Sequence, residues 1–180
     1  MRSARVGSAA AVALVLGLWG CGGGDPSDRP SASSGGARAD RQDELTEMDA
    51  CALLTVEEIE AATGHAPGKG EDPVKEVESA APMCTWPSAD GKVPQVVQLL
   101  ISWSGATDYE SYRDAMVKEG VANLRKVDGA GRFAVLLEDM NLVQAFGERY
   151  MVQTMVSAGD GKDPVEGAVA LARAAMDRLE

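Results

Sequence analysis

Two periods of apolar positions alternate along the chain after residue 49. Leu54-Thr55-Val56-Glu57-Glu58-Ile59 has the form of a helix start. Thr55 can cap, Glu58 completes a capping box three residues on, and Leu54 can staple onto Ile59. Gly64 supplies a left-handed residue to end that helix. Met83 to Trp86 reads as a short strand, and Gln95 to Trp103 as a longer one with Val97, Leu99, Ile101 and Trp103 on one face. Thr107 or Asp108 begins a second helix, which Gly120 ends. Arg132 to Glu138, Asn141 to Phe146 and Arg149 to Val156 read as three further strands. Gly147-Glu148 has the composition of a two-residue type II′ hairpin turn. Asp163-Pro164-Val165-Glu166 opens a last helix with a cap, a proline at the first position and an early acid. Val165, Ala168, Val169, Ala172, Ala175, Met176 and Leu179 form its apolar stripe.

The predicted order is α-β-β-α-β-β-β-α. Hairpin-linked strands favour one mainly antiparallel sheet of about five strands with three helices packed on it, the α+β class. A polar loop of residues 65–82 is the one long connection.

The first residues follow a different plan. Arg2 and Arg5 precede an uncharged apolar run from Ala9 to Trp19. That is the layout of a secretory signal, and the run falls short of the roughly 20 residues a membrane-spanning helix needs. Leu18-Trp19-Gly20-Cys21 resembles the bacterial lipobox. The resemblance implies cleavage before Cys21 and a diacylglyceryl group on its thiol. Two or more acyl chains anchor stably at about 0.8 kcal/mol per buried methylene. Gly22, rather than Asp, after the lipid-bearing residue implies the outer membrane where a cell has two.

Residues 22–47 are rich in Gly, Ser, Pro and charge, with Leu45 as their single large apolar residue. Such composition offers little to offset chain entropy. The expected organisation is a signal peptide at 1–20, a lipidated disordered tether at 21–48 and one globular domain at 49–180.

Charge narrows the partners. The net charge is −11, and removal of the first twenty residues takes away two arginines and no acids, leaving −13. This argues against nucleic acid, which demands clustered cations. It also argues against direct adhesion to anionic lipid. The expected membrane contact is the lipid anchor.

Cys51 and Cys84 remain after Cys21. In an exported domain they read as a structural disulfide. The chain-entropy model gives about 3–4 kcal/mol for a loop of that length. The alternatives are a redox pair, which usually sits as Cys-x-x-Cys, and a zinc site, which wants four ligands in a chain with one histidine.

Catalytic chemistry finds few residues to work with. His65 is the sole histidine, in a Gly/Pro loop past a helix end. Residues Gly64 to Gly70 invite comparison with a phosphate-binding loop, but have three residues between glycines, no Ser/Thr after Lys69, and a helix before them. Glu138-Asp139 has the residue types of a glycosidase pair, yet sits where a turn is expected. Asp160, Asp163 and Glu166 have carboxylates suited to Ca²⁺, without an EF-hand pattern. Gly129-x-Gly131 and Gly159-x-Gly161 read as turns. Trp103 is a candidate core residue or stacking platform, and Met140, Met151, Met155 and Met176 are candidates for core or an adaptable groove. No cofactor or metal is expected.

Cys51-Ala52-Leu53-Leu54-Thr55, Gly64 and Cys84-Thr85-Trp86 together resemble a domain of unknown function common in bacterial lipoproteins. Val127-Asp128-Gly129-Ala130-Gly131 and the Ala-rich last helix fit the same resemblance. It implies a Cys51–Cys84 disulfide and a mixed sheet-and-helix fold, and it implies no activity. A weaker similarity of element order is to Mog1/PsbP-like proteins, which mostly act as accessory or binding proteins. The expected function is a membrane-tethered, non-catalytic binding or accessory module of the cell envelope, with an unidentified envelope protein or ligand as partner. The alternative is an envelope hydrolase with an unrecognised site.

Substituting Cys21→Ser tests the anchor. The protein is expected to leave the membrane fraction and to lose the mass of its acyl chains; unchanged fractionation would remove lipidation from the account.

Overall fold

The computed structural model describes residues 44–180, apart from 78, 79, 94, 158 and 160. The expected signal peptide at 1–20, Cys21, nearly all of the expected tether and Asp160 lie outside the described residues. Six strands make one antiparallel sheet: β1 (Met83–Trp86), β2 (Val97–Trp103), β3 (Leu124–Val127), β4 (Phe133–Leu137), β5 (Leu142–Phe146) and β6 (Tyr150–Val156). Their order across the sheet is β1-β2-β6-β5-β4-β3. Three α-helices complete the fold: α1 (Val56–Thr63), α2 (Tyr109–Lys118) and α3 (Pro164–Leu179). Residues 44–46 are also helical, and two 3-10 turns span Ala50–Leu53 and Glu138–Met140.

The α+β class and the antiparallel sheet agree with the sequence expectation; the strand count does not. β3 was absent from the expected order, which becomes α-β-β-α-β-β-β-β-α. It is an edge strand of four residues, with Arg125 and Lys126 exposed at its centre. Charged residues suit an edge that has no further strand to pair with, and they erase the apolar alternation that marks interior strands.

Local signals place the helix ends. Thr55 Oγ1 accepts the Glu58 N–H (3.2 Å) and Glu58 Oε2 accepts the Thr55 N–H (2.9 Å), so the capping box closes in both directions. Gly64 takes φ 74° at the end of α1. Asp108 caps α2 by accepting the Ser111 N–H (2.8 Å), and Asp163 caps α3 by accepting the Val165 N–H (2.8 Å).

The two faces of the sheet differ. Cys84, Trp86, Val97, Leu99, Ile101, Val143, Ala145, Val152 and Thr154 point to one side, where α1, α3 and the Ala50–Leu53 turn cover them. Thr154 is fully buried there and donates to the Ala168 carbonyl (2.8 Å). On the other side α2 covers the β4–β5 end, over Phe133, Val135, Leu137 and Phe146. The stripe of α3 is buried as expected at Ala168, Ala172, Ala175 and Met176, with Leu171 added. Val165, Val169 and Leu179 lie at its half-buried margin.

Two expectations need correction. Gly147 is not among the glycines with positive φ. Its N–H donates to the Tyr150 carbonyl (2.9 Å), so Glu148 and Arg149 are the central turn residues rather than Gly147 and Glu148. A Cβ at 147 would meet Glu180 Oε1 and the Met176 methyl, two side-chain ends that would have to shift to admit it. The packed chain also begins before Asp49. Leu45 is 3% exposed and belongs to the main core, so the last residues of the expected disordered tether are docked. One leucine reaching a distant pocket leaves no periodic signal.

The α3 register yields a test. Ala172 is fully buried and Ala170 is exposed on the same helix. Ala172→Asp is expected to destabilise by about 3 kcal/mol or more, through an unpaired buried carboxylate, and Ala170→Asp by under about 0.5 kcal/mol. Equal losses in chemical denaturation would place the wrong face on the sheet.

Candidate functional site

The segment from Glu44 to Cys51 is held to the domain at three points. At its start, Glu44 Oε1 accepts from Arg149 Nη2 (2.5 Å) and from the Tyr150 hydroxyl (2.6 Å). Leu45 enters the core one residue later. At its end, Cys51 is bonded to Cys84, with Cα atoms 5.1 Å apart. Cys84 is fully buried on β1 and Cys51 is half-buried in the 3-10 turn. Asp49 caps that turn through the Cys51 N–H (2.9 Å).

The bonds to Glu44 belong to a stacked cluster. The Trp103 and Tyr150 rings stack at 5.1 Å, and the Arg149 guanidinium lies 5.1 Å from the Tyr150 ring centre and 5.9 Å from that of Trp103. Glu180 Oε1 accepts the N–H groups of Glu148 and Arg149, which fixes the turn carrying the arginine. The Tyr150 hydroxyl bond, followed by Arg149, holds the Glu44 carboxyl below its usual range. Burial, followed by the bond to Glu44, pushes the Tyr150 hydroxyl up. Trp103 is thus a stacking residue within the fold, and among the described residues its indole N–H has no hydrogen-bond partner.

The same segment forms one wall of a cleft of about 970 Å³. Residues 69–77 form the other wall, and residues 80–82, which lead into β1, border it. Cys51 brings the disulfide to the cleft. Met48, Val74, Val77, Ala80, Ala81 and Pro82 supply apolar surface. Glu47, Asp49, Glu71, Asp72 and Glu76 outnumber Lys69 and Lys75 around it. Val77 is 59% exposed at this cleft.

The loop that was compared with a phosphate site is spent on structure. The Gly68 N–H donates to the Pro87 carbonyl (2.7 Å), and Glu71 exchanges two backbone hydrogen bonds with Thr85 (2.9 and 2.8 Å). This stretch therefore lines the outer edge of β1. Gly70 presses against the Trp86 indole and Cys84 Sγ, where a Cβ would not fit. His65 donates its backbone N–H to Thr63 Oγ1 (3.1 Å), and its ring lies against Gly159.

The remaining candidates are dispersed. Glu138 pairs with Arg125 (3.0 Å), and Asp139 accepts from Asn123 Nδ2 (2.9 Å) in an exposed 3-10 turn. Asp163 serves as a cap. Among the described residues, no three of His, Cys, Asp and Glu gather where they could hold a metal ion. Met176 is core, Met151 packs beside Phe133 and Phe146, and Met140 is exposed. Under α2, the Tyr112 hydroxyl donates to Gln144 Oε1, and burial pushes its pKa up to about 12. No helix among the described residues is long and apolar enough to cross a membrane.

Fold and site together define a small disulfide-bonded α+β domain with a cleft at its N-terminal edge. The chain belongs to the family described as "Protein of unknown function (DUF3558)", which matches residues 16–178. No curated protein and no solved structure matches it.

Acid titration tests the Glu44 contact. A carboxylate whose folded pKa is lowered contributes stability above its unfolded value, near 4.5, and loses it as pH falls through the folded value. The Leu45 methyl resonances are therefore expected to move with a midpoint below 4.5. Glu44→Gln should flatten that response. A midpoint at the ordinary glutamate value would detach Glu44 from Arg149 and Tyr150 in solution.

Proposed function

We propose that this protein is an exported, lipid-anchored, non-catalytic binding or accessory module of the cell envelope, and that it binds through the cleft between residues 46–51 and 69–82. The observation that carries the reading is the cleft itself, walled on one side by the segment from Thr46 to Cys51. Cys21 is the lipidated residue and residues 1–20 the removed signal. In a cell with two membranes the anchor lies in the outer one.

Three features support binding there. The cleft is large enough for a ligand or a peptide segment. Its walls are fixed by a covalent bridge, a buried leucine and a backbone bridge to β1, so little order has to be imposed when a ligand enters. It also offers apolar surface at Val77 beside charged groups of both signs. The reading involves no nucleic acid, and its membrane contact is the lipid.

Photo-crosslinking in living cells tests it. A photoreactive residue at Val77, in the cleft, is expected to trap a discrete adduct. The same residue at Val117, equally exposed but on α2, is expected to trap none in common. Identical patterns from both positions, or none from Val77, would show that the cleft is not the binding surface.

A further inference from the structure

We propose that the cleft takes an extended peptide carrying basic residues, which adds as a strand along the chain leading into β1. This rests on the cleft being the binding site, and names what it binds.

The backbone carries the first part of the argument. The segment before β1 already runs beside β2, because the Ile101 N–H donates to the Pro82 carbonyl (3.0 Å). Peptide groups of successive residues in an extended chain point to opposite edges. Pro82 and Cys84 therefore face β2, whereas Ala81, Met83 and Thr85 face outward. Thr85 finds its outward partner in Glu71. Among the described residues, no backbone group pairs with Ala81 on that side, and Ala81 lines the cleft. An open strand edge bordered by pockets is the structure that β-strand addition uses. The Glu71–Thr85 bridge shows that extended chain can pair with this edge a few residues further on.

The side chains carry the second part. An extended peptide presents alternate residues to opposite faces. Val77, Val74 and Pro82 offer apolar contact to one set, and Glu71, Asp72 and Glu76 offer negative charge to the other. Val77 in particular stands exposed where a ligand side chain would cover it. With five acids against two lysines around the cleft, basic partners are favoured on encounter and on binding.

The experiment uses the full chain in detergent and fluorescent eight-residue peptides of alternating Lys and Val. Anisotropy titration is expected to show binding that weakens as salt rises, and at least about tenfold weaker binding of the Glu/Val counterpart. Two further Lys/Val peptides carry N-methyl groups, one on every Lys nitrogen and the other on every Val nitrogen. Strand addition uses one of these two sets of N–H groups, so one peptide should bind and the other should not. Glu71→Gln with Glu76→Gln, both exposed, should weaken binding by about three- to tenfold. Glu60→Gln with Glu119→Gln removes the same charge away from the cleft and should leave binding unchanged.

Equal binding of the acidic peptide overturns the charge preference, and equal binding of both methylated peptides overturns strand addition. Equal weakening by the two pairs of substitutions would show general attraction to an acidic protein, and would overturn the site. If no peptide binds while Val77 still traps its adduct in cells, the peptide proposal falls and the binding reading stands. If both fail, both fall.

Discussion

The ladder between β2 and β6 holds the two halves of this chain together. Its seven register pairs run from Val97 opposite Val156 to Trp103 opposite Tyr150. No hairpin creates this pairing: α2 and three strands lie between its partners, so its closure entropy must be met by what it buries. The alternation of β2 answers that need. Val97, Leu99 and Ile101 are fully buried against α3 and its neighbours. Every other strand is added outward from this pair, β1 on one side and the β5-β4-β3 meander on the other. A charge at Leu99 or Val152 would therefore disturb both halves, while the same change on β3 would touch one edge.

At the β1 side the sheet is finished by covalent and backbone means. β1 is a short edge strand of four residues, and more than its ladder to β2 holds it. The disulfide from Cys84 to Cys51, the bridge from Thr85 to Glu71, and the close approach of Gly70 to Trp86 fix it from three directions. The cleft is a consequence: the two segments that brace β1 leave a gap between them. Rigidity of the edge and concavity of the surface thus have the same origin.

This explains which features were legible in the sequence. Capping boxes, proline at a first helical position and strand alternation are local, and the elements they mark fall within two residues of their expected bounds. Cys51 and Cys84 were legible as a pair because they are the two thiols that remain after Cys21, and two thiols have one pairing. β3 was hidden by Arg125 and Lys126, whose exposure at an edge breaks the alternation. Leu45 was hidden because a lone apolar residue in a polar stretch gives no period, and its burial is decided by a distant pocket. Gly147 was legible as a turn signal, yet it lies one residue before the central turn residues, and the side chains packed on it, Glu180 and Met176, come from the far end of the chain. The cleft and the bonds from Glu44 to Arg149 and Tyr150 join residues far apart in sequence and leave no motif.

The two ends of the Glu44–Cys51 segment are held by unlike forces, and this shapes how the domain responds to its surroundings. The disulfide does not depend on salt or on moderate acidity, and it keeps Cys51 beside β1. The Glu44 contact is a partly exposed ion pair with a hydroxyl bond, so acid and ionic strength weaken it. Leu45 sits between them, and its burial does not require Glu44 to be charged. Loosening therefore starts at residue 44 and meets resistance at residue 45, before it reaches the wall of the cleft at Thr46–Asp49. The cleft wall is thus separated from the Glu44 contact by one buried side chain, and from β1 by none, since the disulfide joins them directly.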